Sequence, residues 1–232
     1  MIHFIDLFAG IGGIRLGAYN ALKANGIEAD CVLSSEINDK ACETYMLNFG
    51  EQPQGDIREI EEIQPFDFLL GGFPCQPFSY AGKRMGFGDT RISDIIPSLL
   101  AKGYLQEKEG RYTLVCGNMS FEVFKFLDPD SISITLTSSD SNRLGVIQNN
   151  MARHITPREC ARLQGFPDSF IVHPNDTYAY KQFGNSVSVP VIEAIVNDFI
   201  QQNKLALGWT AKETGINLDR KIAENKRNFA AV

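Results

Sequence analysis

The chain is poor in the residues that mark several other classes of protein. Its 232 residues include only three histidines (His3, His154, His173), widely scattered, and five cysteines (Cys31, Cys42, Cys75, Cys116, Cys160) with no Cys-x-x-Cys spacing. An odd count without paired spacing argues against a disulfide framework and against a zinc site, so no metal is expected. No run of about 18 apolar residues is present, and the opening MIHFIDLFAG lacks a basic segment ahead of its apolar one. The expectation is an intracellular, cytoplasmic protein of bacterial type with no membrane partner. Basic excess is missing too: the net charge is −6. A polyanionic partner would therefore need a local cleft of positive potential, because the chain as a whole supplies none.

With 44% hydrophobic residues the chain can bury a core, and strand and helix signals alternate at short range over its first 70 residues. Ile2 to Leu7 is an apolar run suited to a buried strand. Gly12 and Gly13 open a helical pattern at Ile14, Ala18 and Leu22, closed by Asn25-Gly26. Cys31 to Glu36 reads as a second strand, Asn38 starts a helix stopped by Gly50, IREIEEI as a short acidic helical piece, and FDFLL as a buried strand. This repetition predicts a doubly wound, mostly parallel α/β sheet with helices on both faces. From about Arg91 the pattern changes. RYTLVCGN, FEVFKFLDP and SISITLTSS are β-rich and broken by Asp, Pro and Ser. Thr156, Pro157 and Glu159 then form the N-cap, N1 and N3 of a capping box, and a last helix runs from near Ser188 through Ile200. The expected division is a core over 1–91, a reduced recognition region over 92–152, a return to the core over 153–208 and a polar tail over 209–232.

Chemistry concentrates in two places. In GGFPCQPFS, Cys75 stands between prolines just beyond an apolar strand that ends in two glycines. Open α/β sheets place their chemistry at such strand ends, and Pro74 and Pro77 stiffen the backbone, so the thiol has the setting of a nucleophile. The second place is Asp6 to Gly13, a glycine-rich turn between the first strand and first helix, where backbone can approach a ligand and a helix N-terminus favours a negative group. Glu36, at the end of the second strand, suits ribose hydroxyls, and Asp56 suits an adenine amino group. Each carboxylate alone reads equally well as a cap or a surface charge.

FIDLFAGIGG, GGFPCQPFSYAGKRMGFGDTR, ITPRECARLQGFPDSF and YKQFGNSVSVPVIEAI, in that order, resemble motifs I, IV, IX and X of the DNA (cytosine-5) methyltransferases. The resemblance implies a methyltransferase of Rossmann-like fold acting on double-stranded DNA, of the kind found in restriction-modification. It implies S-adenosylmethionine as cofactor, held by Phe8, Gly10, Gly12, Glu36, Asp56, Ile57 and the Asn185-Ser186-Val187 turn. It also implies that Cys75 attacks C6 of a flipped cytosine as thiolate. Gln76, Ser79, Lys83 and Arg84 fall in the loop that closes over substrate, and Arg158, Gln164 and Gly165 look structural.

The likeness is incomplete. Neither the Glu-Asn-Val tripeptide, whose glutamate engages cytosine N3, nor the Gln-x-Arg-x-Arg strand of the family occurs, and Cys75 and Arg158 are 83 positions apart. An internal deletion accounts for both. A general acid of this type is worth about 10²–10⁴ in rate. Glu107, Glu109 and Glu122 are the carboxylates open to take its place. Three rival readings follow: a relic or a subunit needing a second protein chain for the missing motifs, a tRNA cytosine methyltransferase, and a cysteine hydrolase using His154 or His173 as base.

Overall fold

The computed structural model describes residues 1–72, 95–115, 117–120 and 125–203. Strand β1 (Ile2–Leu7) is flanked by β2 (Ala29–Ser35) and β3 (Phe68–Gly71), all parallel. The apolar run of β1 is what a central parallel strand requires, since both its edges and faces are covered. Helix α1 (Gly13–Ala24) begins after Gly12, which takes a left-handed conformation at φ 84°, and ends at Asn25. Helix α2 (Asp39–Phe49) is capped by the Asn38 side chain, which accepts from the Ala41 amide, and stops at left-handed Gly50. These boundaries lie where the glycine and asparagine signals put them.

Two elements differ from expectation. IREIEEI yields only one 3₁₀ turn, Ile57–Glu59. Glu59, Glu61 and Glu62 repel one another and nothing apolar anchors the piece, so helix nucleation is not repaid. The strand expected to be buried, β3, is half exposed: Leu70 packs inward beside Phe4 while Leu69 faces out.

Within residues 92–152 lies a helix the sequence pattern does not show, α3 (Ile95–Ala101), followed by the hairpin β4 (Leu105–Lys108) and β5 (Arg111–Leu114). A second sheet runs in the order β6 (Met119–Ser120), β7 (Lys125–Phe126), β8 (Leu144–Gln148), β9 (Met151–His154). SISITLTSS is irregular instead of a strand. The amide and hydroxyl of Ser141, just beyond it, both bond back to its Thr137 carbonyl, which spends the backbone on a turn. Helix α4 (Pro157–Leu163) starts with the expected capping box on Thr156 and Glu159. Helix α5 (Asp176–Asn185) is a further unexpected helix, and α6 (Val189–Asn203) closes the described chain. Helix α6 packs along α1 because Gly17 leaves room: a Cβ there would stand 2.7 Å from the Val189 carbonyl oxygen.

The main apolar cluster joins the pieces. Tyr45 and Phe49 of α2 pack with Leu144 of β8, with Ile155, and with Phe166, Phe170 and Phe183 around α4 and α5. The tail expected from residue 209 lies outside the described residues.

Candidate active site

The site is built where β1 and β2 end. Backbone φ is positive at Phe8 (56°), Gly10 (55°) and Gly12 (84°), so the β1–α1 loop coils back on itself. Nothing lies within 4 Å of where a Gly10 Cβ would stand, so that stretch of backbone is open to a ligand. Glu36 locks the loop: its Oε2 accepts from the Gly10 amide at 2.8 Å and its Oε1 from the Asn38 amide at 2.8 Å. A carboxylate has about four lone-pair sites, so each oxygen retains capacity for a hydroxyl donor. The first turn of α1 has no side-chain cap, which leaves its amides and the positive end of the dipole facing the loop. Phe8 in the loop and Ile37, next to Glu36 in the chain, are exposed apolar side chains. Uncapped amides, a ribose-competent carboxylate and apolar surface fit S-adenosylmethionine.

Other parts of the chain are tethered beside the loop. The Glu36 amide donates to the Gln54 carbonyl and the Ser35 hydroxyl to the Gly55 carbonyl, which brings Asp56 and Ile57 next to the end of β2. Both Asp56 oxygens are engaged by Arg58, whose amide and guanidinium donate to them. Those bonds hold the Asp56 carboxyl down at about 2. Asp56 thus serves as the cap of the 3₁₀ turn here. An adenine amino group would have to share it with an exposed arginine.

The Asn185-Ser186-Val187 turn reaches the start of α1. A Cβ on Gly13 would stand 2.5 Å from Ser186 Oγ and 3.5 Å from a Val187 methyl. Gln164 holds this turn in place: its amide nitrogen donates to the Phe183 and Ser186 carbonyls at 3.0 and 3.1 Å, and its own carbonyl accepts from the Val189 amide. Arg158 donates to the Phe170 carbonyl at 2.7 Å, a structural bond as expected.

Beneath the loop lies a buried charged cluster that the motifs do not announce. Arg15, 3% exposed, donates to the Tyr45 hydroxyl at 2.6 Å, pairs with Glu51 and lies over the Phe49 ring. Asp6 is fully buried; its Oδ2 accepts from Tyr45 at 3.4 Å and its Oδ1 has no partner. Burial pushes the Asp6 carboxyl up to about 7, against the pull of Arg15 and the Tyr45 hydroxyl and with the push of Glu51 and Glu36. Its folded value is raised above its unfolded one. The stability it contributes is therefore complete below about pH 4 and lost as pH rises through about 7. Between pH 5 and pH 8 the loss is about 3 kcal/mol. Asp6→Asn flattens this dependence, and thermal melts across that range check it.

Cys75, Gln76, Ser79, Lys83 and Arg84 lie outside the described residues. The first described segment ends at Gly72, whose amide bonds the Leu7 carbonyl at 3.2 Å, beside the glycine loop. The described cysteines are all unsuited to attack. Burial pushes the thiols of Cys31 and Cys160 up to about 12 and Cys42 to about 11. His173 is committed as well: Nδ1 accepts from the Asn175 amide and Nε2 lies 3.2 Å from Glu43. Glu107 and Glu109 are exposed on the β4–β5 hairpin, and Glu122 lies outside the described residues. Among the described residues, no group of three or more His, Cys, Asp or Glu could hold a metal ion, and no helix is long and apolar enough to cross a membrane.

Residues 2–103 and 99–201 match the family model described as C-5 cytosine-specific DNA methylase. Type II methyltransferase M.BanI of Aneurinibacillus aneurinilyticus is 34% identical over 412 aligned residues, covering 87% of this chain and 96% of that protein. Type II methyltransferase M.HgiCI of Herpetosiphon aurantiacus is 32% identical over 417, covering 89% and 99%. An alignment of 412 positions exceeds 232 residues, so at least 180 of its positions (412 − 232) have no residue in this chain. Among solved structures, the chain resembles S. pombe Dnmt2 methyltransferase (TM-score 0.57, 17% identical, 87% of this chain and 99% of that one). It also resembles the Entamoeba histolytica methyltransferase EhMeth (TM-score 0.59, 16% identical, 87% and 98%). At such identities these two speak for the fold, an α/β methyltransferase sheet.

Proposed function

The chain belongs to the C-5 cytosine-specific DNA methylases, and on that premise we propose that Cys75 is the nucleophile in methyl transfer from S-adenosylmethionine to C5 of cytosine in double-stranded DNA. The observation that carries this reading is the Glu36-locked glycine loop lying beside the end of β3, four residues before Cys75. Bound S-adenosylmethionine supplies the methyl group. Phe8, Gly10, Gly12, Glu36, Ile57, Asn185, Ser186 and Val187 hold it, with Ile37 added from its exposure and Asp56 contributing once Arg58 yields. The Cys75 thiolate adds to C6 of a flipped cytosine, and the C5–C6 π pair would form the new bond from C5 to methyl as the donor's S–CH3 bond breaks, its electron pair staying on sulfur so that S-adenosylhomocysteine leaves. Loss of the C5 proton and expulsion of the thiolate restore the ring and the free cysteine. Gln76, Ser79, Lys83 and Arg84 close over the base and meet phosphate, the recognition region spans 92–152, and the reaction takes place in the cytoplasm.

Labelled methyl transfer to mixed-sequence duplex DNA tests the assignment, with Cys75→Ala alongside. Transfer by both proteins would overturn it. Glu36→Ala removes the acceptor for Gly10 and for the ribose. Bonds to a charged group are worth about 1.5–3 kcal/mol, so calorimetry should show affinity for S-adenosylmethionine falling roughly 10- to 100-fold.

In a second reading, a separate polypeptide completes the protein. The family match falls in two stretches that overlap at 99–103, at least 180 aligned positions have no residue in this chain, and among the described residues β3 bonds only to β1. Open parallel sheets continue past that edge. In this reading the chain alone binds cofactor and DNA, and transfer appears only when the missing segment of a relative is supplied in trans.

A further inference from the structure

The recognition region carries a groove of about 780 Å³ between the β4–β5 hairpin, the segment after β7 and the turn joining β8 to β9. Cross-strand register decides which side chains the hairpin turns toward it. Leu105 stands opposite Leu114 and Glu107 opposite Tyr112, while Gln106 stands opposite Thr113 and Lys108 opposite Arg111. Side chains alternate along a strand, so each set shares one face. Leu105, Leu114 and Tyr112 pack into the small core formed with α3 and Phe126. The opposite face therefore presents Gln106, Thr113, Lys108 and Arg111 together. All four line the groove, beside Tyr112 and Leu114 from the other face, and Gln148 and Asn149 join them from the β8–β9 turn.

The two turns are fastened to each other. The Asn150 side chain accepts from the Tyr112 amide at 2.9 Å and donates to the Gly110 carbonyl at 2.9 Å. Asn149 and Asn150 both adopt positive φ to make this possible. The hairpin is thus a two-stranded ribbon tethered at its turn to the β8–β9 turn. Among the described residues, the side chains of Gln106, Lys108 and Arg111 make no hydrogen bond or ion pair, although Asp128 and Asp130 stand on the opposite wall. That acidic wall repels phosphate, so a nucleic-acid backbone is kept away from it, on the side of Lys108.

We propose that the β4–β5 ribbon reads the target sequence, with Arg111 and Gln106 on base edges and Lys108 on a phosphate. This inference rests on double-stranded DNA being the substrate. A two-stranded ribbon fits the major groove of B-form DNA. There guanine offers two acceptors to an arginine fork, and adenine offers an acceptor and a donor to a glutamine amide. Lysine, a point charge, adds affinity without reading sequence. An acidic chain gains in this way the local cationic edge that its composition lacks.

The test is selection of bound duplexes from a random-sequence library by the full chain with S-adenosylmethionine present, read by sequencing, with salt titrations of the affinity. Selection does not depend on Cys75, so its outcome is the same whether or not methyl is transferred. The expected result is one enriched sequence for the parent. Arg111→Ala should lose preference at one position and bind that sequence about 10- to 100-fold more weakly, and Gln106→Ala should do the same at another. Lys108→Ala should weaken all duplexes alike and lower the salt slope by about one. All three side chains are exposed, so melting temperatures should not change. The proposal is overturned if the enriched sequence and affinity survive Arg111→Ala and Gln106→Ala. It is equally overturned if the parent binds without sequence preference.

Discussion

Replacing Cys75 by alanine is expected to abolish methyl transfer while leaving cofactor binding intact. Removing the nucleophile of a covalent mechanism costs on the order of 10⁶ in kcat in a well-studied case, because no neighbouring group takes over the bond it forms. The rest of the chain offers no substitute among its described residues. Cys31, Cys42 and Cys160 are buried and their thiols are held at about 11 to 12, so almost none is thiolate at neutral pH. The measurement is transfer of labelled methyl at saturating DNA, beside calorimetry with S-adenosylmethionine. Cys75→Ala should give background transfer and parental affinity. Transfer within tenfold of the parent would move the nucleophile elsewhere. Loss of cofactor binding would mean that the substitution acts through the fold.

Much of the cofactor half could be read from the sequence because backbone chemistry dictates it. Gly10 and Gly12 stand where the loop needs positive φ, and Asn38 and Thr156 stand where helices need caps. Such signals are local. The parts that escaped depend on partners distant in the chain. Helix α5 buries Ala179 and Phe183 but also Gln182, which donates to the Lys40 carbonyl 142 positions away, so its inward face does not look apolar. Ile132 and Leu136 carry similar β propensity, yet one is 90% exposed and the other buried, because turns and not a ladder take up that backbone. Ile37 is visible only once its exposure beside Glu36 is known. Arg15 sits within an apolar helical pattern, where a charge would ordinarily be assigned to the solvent face.

Arg15→Met is the substitution expected to cost the protein most stability. Arg15 donates to Tyr45 and Tyr19, pairs with Glu51 and lies against three aromatic rings, while the carboxylate of Asp6 is fully buried nearby. Methionine fills much of the volume but leaves the acids without their cation. Removing one partner from a buried charged set typically costs about 3–5 kcal/mol. For a chain of this length that corresponds to a melting temperature lower by roughly 10 °C. The loss should also grow with pH. Arg15 is the largest influence holding the Asp6 carboxyl down, and without it the folded-state value rises further above the unfolded one. Ionising Asp6 then costs more, so the deficit at pH 8 exceeds that at pH 5. Asp6→Asn added to Arg15→Met removes the ionising group and should recover most of the extra loss at pH 8, with little effect at pH 5. Melts of the parent, both single variants and the double variant at the two pH values decide the matter. Equal losses at both would show that Arg15 acts by packing alone, and an unchanged melting temperature would show that the cluster does not support the loop above it.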